Sequence, residues 1–226
     1  MSLLDRLSKD EIPVGNILVI DLENAVINKY TDDRVSEVYI VGCRKIKHEL
    51  LYELIGSGKE YDVNDIELLD SFLDEPIFFR TVKELVEYLD SLSIEGNTIV
   101  YAHNLDYELD YILKETLGSS IEYKKGKDVT KSGYTAILRS NHAPISIILD
   151  KLPTVEFRCS YALTGYSIST LAKMQGDEKL KYDYEKIRRA TDKLEELDYK
   201  YNDKDIVVSG RAIIQKALMR KQKIEN

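Results

Sequence analysis

Apolar positions fall into two periods along this chain. The run 16–22 (Asn-Ile-Leu-Val-Ile-Asp-Leu) is almost continuously apolar and ends in charges, the pattern of a strand buried on both faces. Residues 26–30 and 35–41 flank Thr31-Asp32-Asp33 and predict two strands joined by a turn. The stretch 45–66 carries a weaker signal, a helix around 48–55 closed by Gly56 and Gly58. Thr81 with Glu84 three residues on, ahead of Leu85, Val86 and Leu89, is a capping box for a helix to about Leu92. A second buried strand is predicted over 97–102, then a helix over 106–117 stopped by Gly118. Strands follow around 134–139, 145–149 and 155–158, and a helix over 167–175 has Gly176 at its stop. A long helix then starts from the Asp192…Glu195 pair and runs through Ile213. No repeat of 20 to 50 residues is visible. Strands first and mixed elements later predict an α/β or α+β layered sheet.

Composition narrows what such a sheet can serve. With 43% hydrophobic and 32% charged residues, 11 Gly and 4 Pro, the 226 residues read as one globular chain. Forty acids against 32 bases leave a net charge of −8, which excludes a broad basic footprint on duplex DNA. An acidic chain can still hold a few nucleotides in a local channel, or divalent cations whose charge offsets its carboxylates. The longest apolar runs, 17–22 and 145–149, are far short of the ~20 residues a membrane span needs. Asp5, Arg6, Lys9, Asp10 and Glu11 interrupt the segment where a signal peptide carries its apolar stretch. Cys43 and Cys159 lack metal-type spacing and read as buried small hydrophobes, so a reducing, cytoplasmic setting is expected. The 16 Tyr, with no Trp, include candidates for stacking on bases.

Three acidic motifs sit at the ends of apolar elements. Asp21 and Glu23 close the first buried strand, and residues two apart on a strand point to one face. A cation resolves the repulsion of two such carboxylates, and oxygen-only ligands suit Mg²⁺ or Mn²⁺. The second motif, His103-Asn104-Leu105-Asp106-Tyr107-Glu108, joins a buried strand to a helix start, where backbone N–H groups favour anions. The third, Tyr199-Lys200-Tyr201-Asn202-Asp203-Lys204-Asp205, nests two pairs one helical turn apart, Tyr199/Asp203 and Tyr201/Asp205. At ~100° per residue, Tyr199 and Asp203 share a stripe with Ile206, Val207, Gly210, Ile213, Ile214, Ala217 and Leu218, whereas Asp205 shares the opposite face with Ala212 and Lys216. A core-facing acid is costly to bury without a purpose, so Asp203 is the expected functional residue and Asp205 its alternative. Three such motifs converging on a pair of divalent cations would support hydrolysis of a phosphodiester.

This order of motifs resembles the tyrosine-type DEDD 3′→5′ exonucleases, the proofreading domains of family B DNA polymerases, and within them the protein-primed phage and plasmid branch. Asp21-Leu22-Glu23 matches the Asp-x-Glu motif, Asn104-Leu105-Asp106-Tyr107-Glu108 the Asn-x(2,3)-Phe/Tyr-Asp motif, and Tyr199 to Asp203 the Tyr-x(3)-Asp motif with its Asn-Asp pair. Arg158-Cys159-Ser160-Tyr161 and Ser167-Ile168-Ser169-Thr170-Leu171 resemble the region before the third motif, and Lys179 to Tyr184 the Lys-x(3)-Asp-Tyr stretch. The resemblance spans roughly 16–218. It implies a ribonuclease H-like (DnaQ-like) α/β fold, a mixed central sheet flanked by helices. It further implies two Mg²⁺ or Mn²⁺ ions held by Asp21, Glu23, Glu108 and Asp203, with Tyr199 orienting water and Lys179 assisting catalysis. His103, Asn104, Tyr107 and Ser160 would contact the 3′ end of single-stranded DNA.

Two features depart from the family. Glu108 stands where the second motif supplies Asp, with Asp106 and Asp110 as the alternative acids beside it, and the given sequence runs only 23 residues past Asp203, where family B polymerases continue into a larger polymerising part. The chain is thus expected to be one exonuclease domain over 1–226, with 1–15 an N-terminal extension and 219–226 a helix end or tail. Its expected partner is a separate polymerase or the missing polymerase part, in a phage-infected bacterial cell. The alternatives are a degenerate module that binds nucleic acid or a polymerase without turnover, and a 3′ exonuclease directed at RNA. Lys124, Lys125, Lys127 and Lys131 form a basic cluster suited to guiding a strand or to a solvated hairpin.

Overall fold

The computed structural model describes residues 14–27, 32, 35–118, 129–131, 133–138, 144–177, 180, 182–183 and 188–224. The first apolar run forms β1 (Val14–Ile27), longer than its apolar part because it continues through Asp21 and Glu23 as the partner of β2 (Val35–Lys45). The predicted break between residues 22 and 26 is a register shift at Glu23/Asn24 inside one continuous strand. Such a bulge re-aims side chains without ending the pairing. β1 also runs parallel to β4 (Asn97–Ala102) up to the pair Ile20–Ala102. Asp21 therefore stands one residue beyond the last rung shared with β4.

β4 is in turn parallel to β8 (Leu152–Cys159), and β7 (Pro144–Leu149), β6 (Tyr134–Leu138) and β5 (Val129–Lys131) add on antiparallel. β3 (Ile77–Phe79) pairs with β2 at the other edge, giving a mixed eight-stranded sheet in the order β3-β2-β1-β4-β8-β7-β6-β5. Helices cover both faces, as the α/β expectation requires. The alternation along β1 decides which face is which. Leu18, Ile20 and Leu22 meet Val100, Val155, Phe157 and the apolar sides of α3 (Val82–Ser91) and α4 (Leu105–Leu117). Ile17 and Val19 meet α1 (His48–Gly56), α2 (Ile66–Ser71) and α7 (Glu196–Ile224) on the other. Each fully buried Leu or Ile in these layers contributes about 1.5–3 kcal/mol of transfer free energy.

The helix starts follow the predicted chemistry with small shifts. Thr81 Oγ1 accepts the Glu84 N–H at 3.2 Å, while the Glu84 carboxylate reaches back to the Arg80 N–H at 2.8 Å, one residue before the cap. The long helix begins at Glu196 because Asp198, three residues after Glu195, accepts the Glu195 N–H at 2.8 Å. Asp192 instead closes a turn by accepting the Arg189 N–H. The patterns did not predict α2, β3, β5 or α5 (Ser160–Thr164), which are 3 to 6 residues long and too short for a periodic signal. A further short helix, α6 (Ile168–Met174), falls within the predicted 167–175 and is capped by Ser167, whose side chain accepts the Thr170 N–H.

Candidate metal centre

The carboxyl ends of parallel strands in an open α/β sheet leave a crevice for ligands. Here the shared strand end is the pair Ile20–Ala102, and Asp21 and Glu23 follow it on the face covered by α7. Asp205, from α7, completes a group of three acids whose potential ligand atoms all lie within 4.8 Å of one another. The helix reaches so close because β2 offers no side chain in its path: Gly42 is the ladder partner of Asp21, and a Cβ there would stand 2.0 Å from Asn202 Oδ1 and 2.5 Å from Ile206 Cδ1. Asn202, fully buried, donates from Nδ2 to Asp21 Oδ2 at 2.8 Å.

The electrostatics show a surplus of negative charge. Burial, reinforced by Glu23, Glu108 and Asp205, raises the Asp21 carboxyl well above the usual range, and the Asn202 hydrogen bond only partly offsets this. Burial likewise pushes Glu108 to about 8, against the opposing pull of the backbone N–H groups of Glu108 and Asn104 at the start of α4. Glu108 is 4% exposed and its Oε2 is buried with no hydrogen-bond partner. A hard, oxygen-only donor set with one unsatisfied buried carboxylate oxygen beside it fits a hard divalent cation.

A carboxyl whose pKa is higher folded than unfolded destabilises the fold as pH rises from the unfolded value toward the folded one. Glu108→Gln is therefore expected to stabilise the metal-free protein at pH 8 by about 1–3 kcal/mol, and to change little near pH 4. Urea denaturation at the two pH values tests this. Equal stability of variant and wild type at pH 8 would show that Glu108 bears no such strain.

The register of the third motif differs from expectation. Asp203, expected among the ligands, is turned to β2, where Arg44 holds it through two bonds of 2.6 and 2.8 Å and also donates to the Asp74 carbonyl. Tyr199 packs edge-on against Phe78, ring centroids 5.0 Å apart, in a cluster with Ala25, Tyr39, Ile40 and Leu194. The alternative pair takes the place nearer the strand end: Asp205 joins Asp21 and Glu23, and Tyr201, one turn earlier, is buried and stacked on Tyr182 at 4.2 Å and 15°. The physical reason is that α7 is covered on two sides. Ile206, Ile213, Ile214 and Ala217 meet the sheet, while Val208 and Ala212 meet Leu171 and Ala172 of α6. The face carrying Asp205 is thus an interior face, and the burial of Asp203 is met by Arg44 instead of a cation.

Among the remaining candidates, His103 Nδ1 lies 3.0 Å from Ser160 Oγ, which lies 2.9 Å from Ser209 Oγ of α7. Burial drops the His103 pKa to about 4, so the ring is neutral and ties β4 to α5 and α7. Asn104 is exposed at the start of α4 and makes no capping bond with its side chain. Tyr107 is 41% exposed; its hydroxyl donates to Asn24, whose amide donates to Ser36, which in turn lies 2.7 Å from the Tyr111 hydroxyl. Asp106 is exposed and Asp110 pairs with Lys114. Lys179, Lys124, Lys125 and Lys127 lie outside the described residues, as does the side chain of Lys131. Sequence reasoning missed Gly42 and Arg44, and it named Asn202 only as part of the third motif's Asn-Asp pair; a lone Gly amid the apolar run of β2 was the available sign of a close backbone approach.

No protein-family model and no curated protein matches the chain. Among solved structures, it is similar to Phi29 DNA polymerase complexed with primer-template DNA and incoming nucleotide substrates, with a TM-score of 0.60 and 15% identity over 96% of this chain and 32% of that one. Phi29 DNA polymerase in an orthorhombic crystal form gives 0.61 and 15% over 95% of this chain and 32% of that one. Its complex with single-stranded DNA gives 0.58 and 16% over 93% and 32%. At this identity the likeness shows a shared fold, and the chain spans about a third of the length of those polymerases.

Proposed function

We propose that the chain is a metal-dependent 3′→5′ exonuclease that hydrolyses single-stranded DNA. The observation that carries this reading is the meeting of Asp21, Glu23 and Asp205 at the carboxyl end of the central strands, on a fold shared with a DNA polymerase. Asp21, Glu23 and Asp205 would hold the ions, with Glu108, buried in the first turns of α4, as the fourth carboxylate. Two Mg²⁺ or Mn²⁺ ions, when bound, supply an activated water and stabilise charge on the phosphodiester. The protein's own part is to hold the ligands and the strand. Tyr201, one turn before Asp205, takes the water-orienting role that the resemblance assigns to the tyrosine of the third motif. Tyr107, Tyr161 and Tyr166, each more than 40% exposed, present rings suited to stacking on unpaired bases. Asn104 stands beside Tyr107 as a further strand contact, whereas His103 and Ser160 brace the strand end from within. The proposed partner is a polymerising part, in the same or a separate chain, that delivers the 3′ end.

A module that binds a strand without turnover is the second reading, favoured by one observation: Glu108 lies outside the compact group of three carboxylates. One experiment separates the two. A 5′-labelled DNA oligonucleotide, incubated with the protein and Mg²⁺ or Mn²⁺, is expected to give a descending ladder that EDTA suppresses, and a matched RNA oligonucleotide reports the sugar preference. Intact DNA and RNA after incubation with folded, metal-replete protein would overturn the exonuclease reading. Strand binding that persists in that case would establish the second.

A further inference from the structure

The acids packed around α7 are matched in two different ways. Asp203 is held by Arg44, Asp198 by Arg188, Asp70 by Arg211, and Asp177 by both Arg211 and Lys204. Asp21 is held by an uncharged amide, the Nδ2 of Asn202 at 2.8 Å. That amide sits there at some cost. Its Oδ1 is buried without a hydrogen-bond partner, directly over Gly42, where no other residue's Cβ would fit. An orphaned buried acceptor and a glycine inside a strand each lower stability. An aliphatic side chain at position 202 would avoid the first.

A cationic partner would fix Asp21 equally well but would also cancel the charge that a metal ion needs. A neutral donor orients the carboxylate and leaves its charge available. Resting on the reading above, we propose that Asn202, seated over Gly42, is the positioning residue for Asp21: it occupies one carboxylate oxygen and presents the other to a divalent cation. Residues around a metal ligand that orient it are typically worth 10–100-fold in metal affinity or activity.

The test uses the whole chain and Mn²⁺ as the probe. Asn202→Leu keeps the branched shape and removes the donor. The expected result is a folded protein whose Mn²⁺ affinity by calorimetry weakens roughly 10–100-fold, with a similar fall in kcat and an unchanged KM for the strand. Gly42→Ala leaves every carboxylate in place but displaces Asn202, so it should reproduce the defect. Adding Asn202→Ala to Gly42→Ala should make it no worse than Asn202→Ala alone. These two alanine variants answer the same question if the leucine variant does not fold. Wild-type Mn²⁺ affinity and kcat in folded Asn202→Leu overturn the inference, as do losses that multiply in the double variant. Weakened Mn²⁺ binding in Asn202→Leu, with no cleavage even by wild type, supports the positioning role and overturns the exonuclease reading alone. A wild-type protein that binds no Mn²⁺ overturns both.

Discussion

Asp205→Asn is expected to lower kcat for strand degradation by at least about 100-fold, because a residue that touches the metal should cost no less than one that merely orients a ligand. Asp203→Asn is expected to leave kcat within about threefold and to lower stability by about 1–3 kcal/mol, the usual worth of a charge-assisted hydrogen bond in a part-buried site. The contrast follows from α7. Asp205 shares its surroundings with Asp21 and Glu23, whereas both Asp203 oxygens are taken by the Arg44 guanidinium. Steady-state kinetics beside urea denaturation of the two variants decide the matter. The opposite pattern, with Asp203→Asn inactive and Asp205→Asn active, would restore Tyr199/Asp203 as the third motif. Because both substitutions are neutral isosteres two residues apart on one helix, a general disturbance of α7 cannot produce the split.

What made part of this site legible was the conflict between residue type and element. Asp21 and Glu23 stood out because two acids ended an almost continuously apolar run, and the sheet does place them just past the parallel pairing with β4. Glu108 was one of three acids at a strand-to-helix junction and was singled out only by the resemblance; it is buried there. The register of α7 was hidden because a helical wheel sorts residues into one wet and one dry face. With Val208 and Ala212 packed on α6 and Ile206 and Ile213 on the sheet, α7 has no such division over this stretch, and Asp205 projects from an interior face. Arg44 was hidden for a related reason. A charged residue near the end of an apolar strand reads as a rim position, and its partner Asp203 is far away in sequence. The bulge after Glu23 and the short elements such as β3 and α5 depend on pairing and turn geometry that no local pattern encodes.

The largest loss of stability is expected from Asp198→Ala. Asp198 is almost fully buried at the start of α7, where it accepts bonds from the Tyr182 hydroxyl at 2.7 Å, Arg188 Nε at 2.5 Å and the Glu195 N–H at 2.8 Å. Burial alone would raise its pKa. The hydrogen bonds from Tyr182 and Glu195, with the Arg188 charge, outweigh it and hold the carboxyl below the usual range. Truncation takes the Asp198 carboxylate away from the buried Arg188 guanidinium, and removing one partner of a buried pair costs about 3–5 kcal/mol. The sign with pH is also fixed. A depressed carboxyl pKa contributes stability above the unfolded value near 3.9 that is lost as pH falls through the folded value, so wild type should converge on the variant in acid. The consequence reaches the candidate site, since Tyr182, on whose ring Tyr201 stacks, loses its bond to Asp198 and is left with the Tyr39 hydroxyl at 2.9 Å among its remaining contacts. Denaturation midpoints at pH 7 and pH 3 measure both effects. A gap between the two proteins that stays constant with pH would show that the carboxylate charge is not what holds this end of α7 in place.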